Sequence, residues 1–237
     1  MLSPQDIADR SIIALDYSSA KDCEDLFKKL YDSHASSIQA PRFVKVGLEL
    51  FYADGERVLS LVRERGLKLF LDLKLHDIPN TVYGGIKNLA KYKPEIINVH
   101  ASGGIEMMRA AKQAIIDSSC KETKVIAVTI LTSLDQSKLE TELGYKGQLQ
   151  DLVVKLAKSA KQAGLDGVVS SPHEAALIKS ACGNDFLTVC PGVRPAGSDS
   201  HDQKRISTPR AALENGADYI VMGRAITAAA EPMAAFV

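Results

Sequence analysis

The chain carries no surplus of either charge: lysine plus arginine number 29, and so do aspartate plus glutamate. A neutral balance provides no long-range field to gather nucleic acid or an anionic membrane, so any anion must be held by a locally built site. No apolar stretch is long enough to span a bilayer, and the opening Met1-Leu2-Ser3-Pro4-Gln5-Asp6 lacks the basic-then-apolar order of a secretory signal. A cytoplasmic protein with no nucleic-acid or membrane partner is the expectation. Cysteine is scarce: Cys23, Cys120, Cys182 and Cys190 lie far apart, without a C-x-x-C pair. His34, His173 and His201 show no metal-ligand spacing with one another or with the cysteines. Four free thiols and no metal are expected, with Cys190, inside an apolar run, a small buried hydrophobe. No G-x-G-x-x-G follows the first strand candidate, which counts against a dinucleotide fold.

What is present is alternation. Short apolar, β-branched runs at residues 12–15, 43–47, 67–73, 96–100, 125–131, 167–170, 187–190 and 219–222 read as strands. Between them lie helical patterns at 21–31, 56–65, 82–90, 105–116, 149–162, 173–181 and 210–215. Ser171-Pro172-His173-Glu174 has the order of a capping box, Thr208-Pro209 is a second helix opening, and Gly164 and Gly216 stand where helices should stop. A chain of 237 residues that is 46% hydrophobic and 24% charged can bury a substantial core. Eight strands alternating with helices over that length predict one domain across residues 1–237, a (β/α)8 TIM barrel; an open doubly wound sheet is the alternative on pattern alone.

The most informative decade is Asp72-Leu73-Lys74-Leu75-His76-Asp77-Ile78-Pro79-Asn80-Thr81. Residues i and i+2 of a strand share a face, so Asp72 and Lys74 should project together. Asp77 should lie beyond the strand, just before a helix opened by Pro79. Burying two carboxylates and an ammonium costs desolvation, and folding alone gains little from it. His76 is given no chemistry, and His100 reads as a packed histidine at a strand end.

This decade resembles the active-site signature of the orotidine 5′-monophosphate decarboxylase family in its bacterial form. Further blocks appear in that family's order: Ala14-Leu15-Asp16, Val44-Lys45-Val46-Gly47, Val99-His100-Ala101, Leu131-Thr132-Ser133, Pro191-Gly192-Val193-Arg194-Pro195, Asp202-Gln203-Lys204-Arg205 and Met222-Gly223-Arg224. The resemblance implies cofactor-independent conversion of orotidine 5′-monophosphate (OMP) to uridine 5′-monophosphate (UMP) and CO2, the last step of UMP biosynthesis. It also implies a homodimer with active sites shared across the interface. Asp72 and Lys74 match one subunit's charged array, with Lys74 as proton donor. Asp77, Ile78 and Thr81 match the segment that the second subunit inserts. Asp16 and Lys45 match ribose contacts, Lys45 being also tied to the array. Thr132 matches the residue reading the pyrimidine edge, and Pro191 lines the ring pocket. Arg194, Gln203, Gly223 and Arg224 match the phosphate site, with Gln203 on a lid. Independently of the resemblance, two arginines after the seventh and eighth strands fall where such barrels commonly hold phosphate. The stretch 194–205, polar and containing glycine and proline, reads as a loop. The nearest rivals are sugar-phosphate enzymes that share a D-x-K-x-x-D core but use magnesium, and a non-catalytic sensor on the same barrel.

Overall fold

In a computed structural model describing residues 2–32, 39–195 and 207–233, eight parallel strands close into a barrel in chain order. After α1 (Pro4–Asp9) the elements run β1 (Ser11–Leu15), α2 (Ala20–Phe27), β2 (Phe43–Gly47), α3 (Leu48–Glu64), β3 (Lys68–Leu75) and α4 (Pro79–Ala90). They continue β4 (Ile96–His100), α5 (Gly104–Asp117), β5 (Lys124–Val128), α6 (Gln136–Thr141), α7 (Leu149–Gln162), β6 (Gly167–Val169) and α8 (Ala175–Cys182). Last come β7 (Leu187–Cys190), α9 (Pro209–Glu214), β8 (Tyr219–Met222) and α10 (Arg224–Thr227). The (β/α)8 expectation therefore holds, and the open sheet is excluded because β1 pairs with both β2 and β8.

Local chemistry sets the boundaries. Pro79 opens α4, and the Ser171–Glu174 capping box forms, although it starts a single 3-10 turn before α8. The Thr208 side chain accepts the Ala211 N–H at the start of α9, and Gly164 and Gly216 end helices at φ +83° and +101°. Some expected boundaries differ. The fifth strand stops at Val128 rather than 131, with Thr129 still donating its N–H to Val169 O, and α3 begins eight residues before 56. The short α1 and α6 had no apolar stripe long enough to register as helices.

Side-chain alternation along the strands separates two cores. Ile12, Phe43, Phe70, Ile96, Ile126, Val189 and Val221 fill the barrel interior, while a larger layer including Leu15, Val44, Leu71 and Ile97 faces the helices. Following the interior face toward the strands' carboxyl ends changes its character. Ile12 and Ala14 lead to Asp16, Phe43 to Lys45, Phe70 to Asp72, and Ile96 to Asn98 and His100. The barrel thus places polar groups on top of an apolar plug.

The opposite end serves stability. Glu95, Asp166 and Asp218, each directly before β4, β6 and β8, accept backbone N–H groups of Leu69 (2.6 Å), Val125 (2.7 Å) and Thr188 (2.7 Å) on the preceding strand. Lys112 and Lys179 pair with Asp166 and Asp218, each at 2.6 Å. One device repeated three times holds the strand starts in register.

Candidate active site

A cavity of about 330 Å³ opens at the carboxyl ends of the strands, of a size suited to a small organic ligand. Its lining brings together Asp16, Lys45, Asp72, Lys74, Thr132, Pro191, Arg194, Gly223 and Arg224. These come from the ends of six different strands or the loops that follow them.

On the floor lies a chain of alternating charges. The Lys45 ammonium is 2.9 Å from Asp16 Oδ1 and 3.2 Å from Asp72 Oδ2, and the Lys74 ammonium is 2.8 Å from Asp72 Oδ1. Asp72 and Lys45 are only 7% and 8% exposed, so their charges are sustained by each other rather than by water. Burial pushes the Asp72 carboxyl up, but Lys45 and Lys74 outweigh it and hold the group below its ordinary range. Burial likewise pulls the Lys45 amine down, and Asp72 and Asp16 more than restore it. Gly47 leaves room for this chain, since a Cβ there would stand 3.1 Å from Lys45 Nζ.

Lys74 reaches Asp72 by an irregular route. The β3–β4 register runs Leu71 opposite Ile97, then Leu75 opposite Val99. Three residues of β3 therefore face one of β4, and Lys74 sits within this bulge at φ +49°. A left-handed backbone at a non-glycine residue costs on the order of 1–3 kcal/mol and marks a position held by its surroundings. The expectation that β3 ends at 73 thus understated the strand, which runs on through the bulge to Leu75.

Asp77, Ile78 and Thr81 do not join this cavity. Asp77 is exposed, and its Oδ1 accepts the N–H of Ile78, which is itself 67% exposed. Asp77 and Thr81 line a second, more open hollow with Tyr52 and Leu89, and Lys74 borders both hollows. Within one chain, then, the second acid of the motif is separated from the array. The His76 ring packs 5.4 Å from that of His100, next to Lys74. Burial first, then His76 and Lys74, keep the His100 pKa below its usual value.

Around the rim, Arg194 follows β7 and its N–H donates to Ser207 O (3.0 Å), where Val193 and Ser207 form a one-residue bridge. Gly223 caps α10, which begins at Arg224 and is a single turn long. A Cβ at Gly223 would meet Asp16 Oδ2 at 3.6 Å, an ordinary contact. Gln203, and most of the stretch 194–205, lie outside the described residues. Sequence reasoning missed Asn98. Its signal was a single amide in the apolar strand Ile96-Ile97-Asn98-Val99, in phase with His100. Among the described residues, no group of three histidines, cysteines or acids is arranged to hold a metal ion, and no helix is long and apolar enough to cross a membrane.

A (β/α)8 barrel with its polar groups gathered at the carboxyl-end cavity defines a barrel enzyme. The family model described as "Orotidine 5'-phosphate decarboxylase / HUMPS family" matches residues 9–236. Proteins named orotidine 5'-phosphate decarboxylase from Carboxydothermus hydrogenoformans and Streptococcus suis are 47% and 44% identical to the chain. Each alignment covers 94% of this chain, with 91% and 92% of the relatives. A crystal structure of orotidine 5'-phosphate decarboxylase from Lactobacillus acidophilus superimposes with a TM-score of 0.81 at 41% identity, covering 96% of both chains. The chain belongs to the orotidine 5'-phosphate decarboxylase / HUMPS family.

Proposed function

We propose that this protein decarboxylates OMP to UMP and CO2 in pyrimidine biosynthesis, and that its own charges stand in for an electron-sink cofactor. The observation that carries this is the Asp16–Lys45–Asp72–Lys74 chain at the floor of a cavity whose lining includes two arginines.

Breaking the bond from C6 to the carboxylate leaves an electron pair in an sp² orbital that the ring π-system does not absorb. A fixed ammonium beside C6 stabilises that charge as it develops and then supplies the proton. Lys74 fills this role: CO2 departs, C6 takes a proton from Nζ, and the neutral amine regains one from solvent. Asp72 holds the ammonium in place through the 2.8 Å ion pair. Asp16 and Lys45 take the ribose hydroxyls, Thr132 the pyrimidine edge, and Pro191 the ring face. Arg194, Arg224 and Gln203 take the phosphate, with Gly223 leaving the backbone open to it. Because phosphate is remote from C6, its binding energy can be realised in the transition state.

The working unit in this reading is a homodimer. Lys74 borders the hollow that carries Asp77 and Thr81, and exposed Ile78 and Tyr52 (67% and 79%) give the same face apolar area to cover. Asp77, Ile78 and Thr81 of one subunit then complete the site of the other.

Incubation with OMP in the presence of EDTA, following loss of the substrate's ultraviolet absorbance, is the test. Turnover insensitive to EDTA is expected. Activity lost to EDTA and restored by magnesium favours the sugar-phosphate branch of the family, and binding without turnover favours a sensor.

A further inference from the structure

We infer that Asn98 is a positioning residue for the catalytic ammonium: its carboxamide sets the backbone of Lys74 and the carboxylate of Asp72 together. The inference rests on the decarboxylase reading and extends it to a residue outside the D-x-K-x-x-D motif.

Asn98 lies in the middle of β4 with no solvent exposure, between Ile96 and His100 on the barrel's inner face. It stands alone opposite the bulge, where β3 contributes Asp72, Leu73 and Lys74. Both ends of its amide are engaged. Oδ1 accepts the Lys74 backbone N–H at 2.8 Å, and Nδ2 donates to Asp72 Oδ1 at 2.7 Å. The amide has only one workable orientation, since a backbone N–H can only donate and an ionised carboxylate can only accept.

The consequence is geometric. Asp72 Oδ1 receives two donors, the Asn98 amide and the Lys74 ammonium at 2.8 Å. The same amide that orients this oxygen also holds the left-handed turn at Lys74 from which the ammonium departs. Backbone and counter-ion are thus set by one rigid side chain, which is how a functional group is kept within a fraction of an ångström of its working position. A merely structural asparagine would satisfy a bulge; this one also joins the two residues whose relative placement governs the chemistry.

Two variants separate the roles, measured beside the wild type for OMP turnover and for UMP affinity. Asn98→Ala is expected to lower kcat by about 10²-fold or more, while UMP affinity shifts by less than about threefold, as for a contact that matters in the transition state. Asn98→Asp keeps the acceptor toward Lys74 N–H but can donate to Asp72 only when protonated. Its kcat should therefore sit below wild type and rise as pH is lowered, where wild type shows no such rise. If Asn98→Ala does not fold, the pH profile of Asn98→Asp decides alone. A kcat for Asn98→Ala within about threefold of wild type, or a pH-independent loss in Asn98→Asp matched by an equal loss of UMP affinity, overturns the positioning role. Wild-type protein that leaves OMP intact instead sinks the decarboxylase reading itself.

Discussion

The Lys74 ammonium stands 2.8 Å from Asp72 Oδ1 although both residues lie in a bulge and Lys74 has a left-handed backbone. Regular pleating would put i and i+2 side by side, about a strand repeat apart, with their side chains parallel. Here the chain departs from that geometry to turn the lysine back onto the acid. A strained arrangement kept beside a cavity is a reasonable sign of function, and it leads to the first prediction.

Lys74→Ala should lower kcat on OMP by about 10⁴-fold or more, combining loss of charge stabilisation with loss of the proton donor. UMP should still bind, because Asp72 retains Lys45, and Arg194 and Arg224, proposed to hold the phosphate, are untouched. Rapid-quench turnover and calorimetric binding of UMP measure the two effects separately. Near-normal turnover would exclude Lys74 as the donor.

Asp77 is the acid that one chain leaves outside its own cavity. Mixing Lys74→Ala with Asp77→Ala protein, each inactive alone, should restore up to about a quarter of the wild-type sites if subunits exchange freely and each site draws on both chains. Activity after verified exchange is the readout. No recovery would assign Asp77 to its own chain's site.

The pKa directions predict how the array and its neighbour respond to pH. Asp72 is lowered, so its stabilising contribution is present above the unfolded value of about 3.9 and is lost as pH falls through its lower folded value. Lys45 is raised, so its contribution is complete below about 10.4 and is lost as pH rises through its higher folded value. Asp72 and Lys45 should both stay ionised throughout the intervening range. His100 has the opposite sense for a base: its folded pKa is lowered, the unfolded chain binds the proton first, and stability declines as pH drops below about 6.5. Urea unfolding at several pH values should show that decline, and His100→Gln should flatten it. An unchanged slope in the variant would assign the decline to other groups.

Much of this site was legible before folding was considered, and the reason differs from residue to residue. Asp72, Lys74 and Asp77 share one decade, and the strand-then-helix pattern around them located the cavity's edge. Arg194 and Arg224 could be placed at the cavity because the loops after the seventh and eighth strands lie at the carboxyl end of a barrel. Asn98 was passed over because an amide in an apolar strand has many ordinary explanations, and only its two partners distinguish it. The bulge in β3 was invisible for a similar reason: nothing in Leu71-Asp72-Leu73-Lys74-Leu75 breaks strand periodicity.

The amino-acid order alone determined the number and sequence of strands and which end would carry charge, since these follow from hydrophobic period and from local caps and turns; closure was decided only by the pairing of β1 with both β2 and β8. Tertiary structure decided which charges touch. Lys45 meets Asp16 across 29 residues and Asn98 meets Asp72 across 26, contacts created by parallel strands lying side by side. It also decided that Asp77, five residues from Asp72, faces a different hollow. Sequence separation measures distance along a chain, whereas the strength of a charge interaction depends on distance through space and on the water excluded between the groups.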